Sequence, residues 1–171
     1  MNWKESGAKN QSEFDDWNKD ICGIYCLKMA GDYFGKTNEL SVWSLLNECR
    51  AFGGFRDENG ERIGVFHKAL AKTAKKNKFF GKITKDLTTD KLKKLLKKDY
   101  LVILSVNKNK IGKNLTGGHL ILVLDYSERE KAFVLNDPDP ILAKNGSSIH
   151  LPEIELDRIS NKKGIKLKKR N

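Results

Sequence analysis

Residues 119–137 read HLILVLDYSEREKAFVLND and contain two apolar runs separated by a polar turn. The runs at 119–126 and 131–137 are short and rich in Leu, Ile, Val and Phe, which is typical of buried strands. Residues 127–130 between them have the composition of a turn. A third apolar run, LVILSV, precedes them at 101–106. These runs predict an antiparallel sheet in the C-terminal part of the chain.

The residues before this sheet favour helices instead. Apolar side chains recur there at spacings of three and four residues, the pattern of a helix with one buried face. The predicted helices are 22–34, ended by Gly35, 42–52 after an N-cap at Ser41, 64–77, and 91–99 after a cap at Thr89–Asp90. Segment 79–83 is predicted to be a short strand and segment 55–64 a loop. Helices followed by a sheet indicate an α+β fold rather than alternating βαβ units.

Length and composition bound the class of protein. The 171 residues are 39% hydrophobic, enough for one compact core, so we expect one domain over 1–171. Within it, 1–13 is expected to be a polar lead-in and 160–171 a flexible basic tail. Three cysteines leave at least one thiol unpaired, which favours a reducing compartment. With no apolar signal segment and no run long enough to span a bilayer, the expected location is the cytoplasm.

The formal net charge is +11, and lysines are concentrated at 93–98 and 162–170. Such patches attract nucleic acid, anionic membranes or acidic proteins. No RNP-like signature, zinc-ligand spacing or interleaved aromatic pattern accompanies these lysines, so a dedicated nucleic-acid-binding function is not expected. The simpler interpretation is a solvated helix face and a solubilising end.

Three residues form a pattern that indicates nucleophilic catalysis. Cys22 begins a predicted buried helix, where unpaired backbone N–H groups favour the thiolate. His119 opens one predicted strand and Asp137 closes its hairpin partner, so the two side chains are expected to face each other. An imidazole can take the proton of a thiol and return it to a leaving group, while a carboxylate behind it fixes its tautomer.

Each of these residues has a competing interpretation. Cys26 and Cys49 fall on the apolar faces of predicted helices and are expected to be core residues. His67 and His150 are alternative bases, although His67 is expected to pack in a first helical turn and His150 to lie beyond the sheet. Asp137 is also part of a strong turn sequence, NDPDP, in which the neighbouring Asn136 is an alternative partner for the imidazole.

The segments CGIYCLKMAGDYFG (22–35), GGHLILVLDY (117–126) and AFVLNDP (132–138) resemble papain-like cysteine peptidases of the bacteriocin-processing, double-glycine-leader type, in their stand-alone form. The segments IGVFHKALAKTAKK and KLKKLLKKDYLVILSV are similar to the middle of that family. The resemblance covers about residues 14–140. It implies a papain-like fold in which a helical half packs on an antiparallel sheet, and a triad of Cys22, His119 and Asp137 that hydrolyses a peptide or protein substrate without metal or cofactor.

The resemblance also implies a Gln shortly before the nucleophile, whose side-chain amide stabilises the oxyanion. Asp16 lies six residues before Cys22, Asn18 four residues before it, and Gln11 farther away. Because an amide can donate a hydrogen bond and a carboxylate cannot, Asn18 is the better candidate. Three alternatives stay open: a deamidase or acyltransferase with the same triad, an inactive peptide-binding member, and a basic nucleic-acid-binding protein.

Overall fold

An antiparallel sheet of six strands forms the centre of the protein, in the order β3-β8-β4-β5-β6-β7. A computed structural model describes residues 3–36 and 39–170. The strands are β1 (Phe55–Glu58), β2 (Glu61–Gly64), β3 (Phe79–Lys85), β4 (Leu101–Asn107), β5 (Gly118–Ser127), β6 (Ala132–Asn136), β7 (Ile149–Pro152) and β8 (Ser160–Lys169). The helices are α1 (Trp3–Ser6), α2 (Gln11–Asn18), α3 (Cys22–Tyr33), α4 (Val42–Ala51), α5 (His67–Lys76), α6 (Thr89–Leu96) and α7 (Glu153–Ile159).

The predicted α+β class is confirmed, because four of these helices precede the first strand pair and the large sheet follows. Successive side chains along each strand of the large sheet point to opposite faces, so that each face packs against a different set of helices. Ile103 and Leu122 face α3, α4 and α5 in one apolar core. Leu104 and Val123 face α6 and α7 in a second core on the other side. Within the described part of the chain, no helix combines the length and apolarity needed to cross a membrane.

A glycine lets helix α3 approach strand β5 closely. A Cβ atom on Gly23 would lie 2.3 Å from a methyl group of Val65 and 2.7 Å from one of Leu120. Any other residue at this position would therefore force these side chains, or the helix itself, to move. Gly23 is the second residue of α3, and Leu120 is the third residue of β5. Their contact therefore sets the distance between Cys22, which begins α3, and the start of β5.

The C-terminal segment is an interior strand rather than a flexible tail. Strand β8 lies between β3 and β4 and pairs with both. Ile165 and Leu167 are fully buried in the core beneath α5, while Lys166 and Lys168 lie on the opposite face over the rings of Phe80 and Tyr100. The expectation of a frayed end was wrong. The alternating pattern of a strand was not recognisable in the sequence, because only two large apolar side chains alternate with the lysines.

Other elements also differ from the sequence-based expectation. The lead-in contains α1 and the start of α2, and Asn10 caps α2 by accepting a hydrogen bond from the backbone N–H of Glu13 at 2.9 Å. The predicted loop 55–64 is the hairpin β1–β2, because Asn59 and Gly60 both adopt the positive φ of a tight turn. The N-cap of α6 is Thr88, one residue earlier than predicted, whereas the predicted cap Ser41 is confirmed for α4.

The buried β8 generates a stability prediction. Replacement of Leu167 by Ala removes a fully buried side chain, so we expect it to lower the free energy of unfolding by about 2–5 kcal/mol. The matched control is Lys163→Ala on the same strand, whose exposed side chain should be worth less than about 0.5 kcal/mol. Urea denaturation followed by circular dichroism measures both. Equal small effects would show that the segment is not part of the cooperative fold.

Candidate active site

Cys22 is the first residue of α3 and lies at the surface of a cleft. The helix begins without a side-chain cap, since Ile21 at the N-cap position makes no such hydrogen bond. No capping side chain therefore covers the N–H groups at the start of the helix near the sulfur, an arrangement that favours negative charge there. Cys22 is half-buried, in contrast to Cys26 and Cys49, which are fully buried as expected of core residues.

The two core thiols are poor nucleophiles for a physical reason. Burial raises the pKa of Cys26 well above its usual value, with the charges of Cys22 and Asp137 adding to the effect. Its Sγ donates to the carbonyl of Leu120 at 3.3 Å. Burial also raises the pKa of Cys49 to about 11. Because the thiolate is the reactive form of cysteine, both side chains are unreactive at neutral pH.

His119 lies near the start of β5, opposite Val106 of β4, and its side chain is almost fully buried. Its Nε2 is 2.6 Å from Oδ1 of Asp137, which leaves Nδ1 as the ring nitrogen that can interact with Cys22 in the same cleft. Burial disfavours the charged ring and lowers the pKa of His119, but the interactions of the ring with Asp137 and Cys22 outweigh this effect. The net result is a pKa of about 9. The imidazole is therefore held as a cation at neutral pH.

Asp137 is held in place by the loop that follows β6. Its Oδ2 accepts from the backbone N–H groups of Ile141 at 3.1 Å and Leu142 at 3.0 Å, and its Oδ1 accepts from that of Asp139 at 3.2 Å. Gly146 closes the loop by accepting from the N–H of Asp137, and it has a φ of +63°. A Cβ there would lie 2.6 Å from the carbonyl oxygen of Asp137. The carboxylate is thus buried, fully hydrogen-bonded and fixed in direction.

These three residues line one open cleft of about 1060 Å³. One wall is formed by α3 and the end of α2, and another by strand β2 with Ile63 and Gly64. The loops before β5 and after β6 complete it, including Gly117 and Pro138. The structure therefore brings together the three residues that the sequence analysis selected, at the bottom of a groove with room for a peptide.

Asn18 lines the same cleft, at the last position of α2. Its Oδ1 accepts a hydrogen bond from the hydroxyl of Tyr25 at 2.6 Å, and burial raises the pKa of Tyr25 to about 12, so the hydroxyl remains a donor. With the oxygen engaged, the amide N–H groups of Asn18 are directed away from Tyr25. Among the described residues, these N–H groups have no hydrogen-bond acceptor in the protein.

The other two candidates for the amide position are not placed for that role. Gln11, at the start of α2, donates to Asp15 at 2.7 Å on the exposed surface, away from the cleft. Asp16 forms an ion pair with Arg62 at 2.8 Å and lies beside a separate cavity of about 440 Å³ on the far side of that arginine. Of the three candidates weighed from the sequence, Asn18 is the one that lines the cleft with Cys22.

The alternative bases and the alternative partner of the imidazole lie elsewhere. His67 is the first residue of α5, and its buried Nε2 has no hydrogen-bond partner among residues 3–36 and 39–170; burial and then Lys163 lower its pKa. His150 forms an ion pair with Glu130, and its expected position beyond the sheet was wrong because it belongs to β7. Asn136 accepts from the N–H of Ser148 at 2.8 Å and so anchors a loop instead.

Within residues 3–36 and 39–170, no group of three His, Cys, Asp or Glu side chains is arranged as a metal site.

The structure also shows two features of the site that the sequence did not indicate. The amide cradle around Asp137 and the bond from Tyr25 to Asn18 depend on loop conformation, which no periodicity encodes. For the cradle, the only sequence signal is the run NDPDP, which predicts a turn but not what the turn encloses.

Comparison with known proteins agrees with this architecture. The peptidase domain of Streptococcus ComA, a bifunctional ABC transporter of a quorum-sensing pathway, superposes with a TM-score of 0.63 and 18% identity, over 89% of this chain and 93% of that one. A double-glycine-motif protease from an AMS/PCAT transporter, in complex with the leader peptide, gives 0.58 and 20% over 86% and 84%. A C39-like peptidase of Bacillus anthracis gives 0.59 and 17% over 88% and 89%.

These likenesses show that the fold is papain-like, as the sequence analysis predicted. No functionally curated protein matches the chain. At the level of sequence, a model of the Peptidase_C39-like family matches residues 7–148, a range that includes all three residues of the Cys-His-Asp cluster. The chain therefore belongs to the Peptidase_C39-like family.

Proposed function

We propose that this protein is a cysteine peptidase that cleaves a peptide bond through a thioester on Cys22. The observation that carries the proposal is that Cys22, His119 and Asp137 line one open cleft, with the imidazole hydrogen-bonded to a carboxylate that is anchored in the protein. Family membership supports a peptidase, and the geometry supports this set of residues.

The proposed reaction has two half-reactions that balance in protons and electrons. The Cys22 thiolate attacks the substrate carbonyl carbon, and the tetrahedral oxyanion is stabilised by hydrogen bonds from the Cys22 N–H and Asn18. The imidazolium of His119 then donates its proton to the departing amine as the C–N bond breaks. A water molecule attacks the resulting thioester while His119 accepts its proton, and the carboxylic acid product leaves as the thiolate re-forms.

The shape of the cleft favours an extended polypeptide as substrate. Strand β2 lines the cleft, and in the described part of the chain its one paired edge is the edge it shares with β1. A peptide in extended conformation can add to a free strand edge through main-chain hydrogen bonds. One of the similar structures is a protease in complex with a leader peptide, which is consistent with a peptide ligand in this groove.

Peptide hydrolysis by the wild-type protein and by a Cys22→Ser variant tests the proposal. We expect the wild type to produce fragments that together differ from the substrate by one water, and the variant to be slower by at least about 10³-fold. A Cys49→Ala variant is the control, because Cys49 is buried in α4 outside the cleft. Mass spectrometry of a mixed peptide library measures the products.

Other products would identify other functions. A mass change of one unit without cleavage would indicate a deamidase, and an acyl group transferred to an amine would indicate a transferase. Peptide binding without any product, together with alkylation of Cys22 no faster than that of Cys49, would indicate an inactive binding protein. Each of these outcomes contradicts the peptidase.

The pH dependence should report the interaction of His119 with Asp137. Because the pKa of His119 is raised to about 9, the imidazolium persists through neutrality and is lost as the pH rises through about 9, so kcat/KM should fall there. In Asp137→Asn the ring loses its anionic partner, and the alkaline limb should move to lower pH. Asp125→Asn, at an exposed position of β5, should leave the limb in place. An unmoved limb in Asp137→Asn would contradict the assignment.

The proposed role of Asn18 predicts a selective loss of turnover. Asn18→Ala removes an amide donor to the oxyanion, which forms only in the transition state, so kcat should fall about 10²–10³-fold with KM little changed. Steady-state kinetics measures both constants. Ser12→Ala, at an exposed position of the same helix, is the control. A change in KM alone would assign Asn18 to substrate binding instead.

A further inference from the structure

Arg62 connects the hairpin β1–β2 to the residues that lead into Cys22. We call residues 16–21 the approach segment, because they contain Asn18 and end at the nucleophile. Nη1 of Arg62 donates to the carbonyl oxygen of Asp16 at 2.7 Å and to Oδ2 of Asp20 at 3.1 Å. Nη2 donates to Oδ2 of Asp16 at 2.8 Å. One guanidinium thus binds the approach segment at two points on either side of Asn18.

The ring of Trp17 gives the same arginine a third contact in the approach segment. The guanidinium carbon of Arg62 lies 3.6 Å from the centre of the Trp17 ring, and that of Arg50 lies 4.7 Å from it. Phe55 of β1 packs edge-on against Trp17 at 5.2 Å. The hairpin therefore contacts four groups of the segment: the backbone carbonyl and the carboxylate of Asp16, the ring of Trp17 and the carboxylate of Asp20.

Other contacts also hold the approach segment: Arg50 and Phe55 pack against the ring of Trp17, and Tyr25 donates to Asn18. Its backbone is held locally, because residues 16–18 belong to α2, the N–H of Asp20 donates to the carbonyl of Trp17 at 3.0 Å, and the carbonyl of Ile21 accepts from the N–H groups of the first turn of α3. The bond from Tyr25 to Asn18 fixes the direction of one side chain but not the path of the chain. Ile21 at the N-cap of α3 makes no side-chain capping bond. To these contacts Arg62 adds hydrogen bonds from another element to residues on both sides of Asn18.

We propose that Arg62 is a positioning residue that sets the place of Asn18 and of the Cys22 N–H relative to the substrate carbonyl. The proposal rests on the peptidase function above. Both oxyanion donors belong to or adjoin the approach segment, and an error of about 1 Å in such donors costs on the order of 10²-fold in rate. The planar, forked guanidinium suits this task because it donates in two directions from a fixed plane, which an ammonium group cannot do.

Arg62 also lines the catalytic cleft, so a direct contact with substrate is the competing role. Three of the four hydrogens on its Nη atoms are already directed at Asp16 and Asp20, and its side chain is only 18% exposed. Both observations favour a restraint within the protein. A positioning residue lowers kcat, whereas a substrate contact raises KM, so steady-state kinetics separates the two roles.

The experiment compares Arg62→Ala with Arg56→Ala on the same hairpin. Arg56 lies in β1, pairs with Glu58 at 2.6 Å and lies over Phe66. The substitution Arg56→Ala therefore removes an arginine from the hairpin but leaves the contacts of Arg62 with the approach segment in place. In the Arg62 variant we expect amide hydrogen exchange in residues 17–21 to accelerate at least about tenfold and kcat to fall about 10–100-fold, with KM unchanged. Arg56→Ala should change neither. Arg62→Lys, which keeps the charge and most of the stem, is the test variant if Arg62→Ala does not fold.

A double-mutant cycle with Asn18→Ala makes the test specific. If Arg62 acts through the placement of Asn18, its loss should cost much less than its single-variant effect once Asn18 is absent. Full additivity, unchanged hydrogen exchange, or an effect on KM alone would overturn the proposal. A wild-type protein that cleaves no peptide would overturn the peptidase function, while the hydrogen-exchange comparison would still decide whether Arg62 holds the segment.

Discussion

The buried contact between His119 and Asp137 is the constraint on which the rest of the site depends. A carboxylate out of water is stable only when each of its oxygens is paired, and here one oxygen binds the imidazole and the other binds two backbone amides. The loop after β6 folds around this charge to supply those amides. The direction of the carboxylate then fixes the ring, and the ring directs its other nitrogen to the sulfur.

The second requirement is that two separate parts of the chain meet at atomic distance. The sheet delivers His119 and the helical part delivers Cys22, and the contact between them passes through Gly23. A side chain at that position would collide with those of Val65, Leu120 and Leu70, which pack between α3 and its neighbours. The hairpin β1–β2 supplies the other side of the cleft and, through Arg62, reaches the residues before the helix. The residues of the site thus come from four parts of the chain: α3, β5, the loop after β6 and the hairpin β1–β2. Contacts between these parts hold the residues in place.

How far the sequence anticipates this arrangement depends on the range of the interactions. Residues 101–106 and 119–137 form the predicted strands because their apolar runs are continuous, and residues 22–34 form a helix because a single face is apolar. The sequence could identify Cys22, His119 and Asp137 as candidate site residues because each lies at one end of a predicted element. The roles of Arg62 and Tyr25 could not be predicted, because they depend on which parts of the chain meet in the fold. Strand β8 was missed because it contains only two large buried apolar residues and many lysines.

The position of β8 has a consequence for the order in which the protein is assembled during synthesis. In the part of the chain that the structure describes, strand β3 pairs with the large sheet only through β8, which lies about 75 residues later in the chain. As the ribosome delivers residues in order, Phe79 and the free edge of β4 emerge well before their partner exists. Closure of the sheet on that side therefore has to wait until residue 169 has left the exit tunnel. The nascent protein spends that interval with an apolar strand edge exposed, the period in which association with chaperones or with other nascent chains competes with folding.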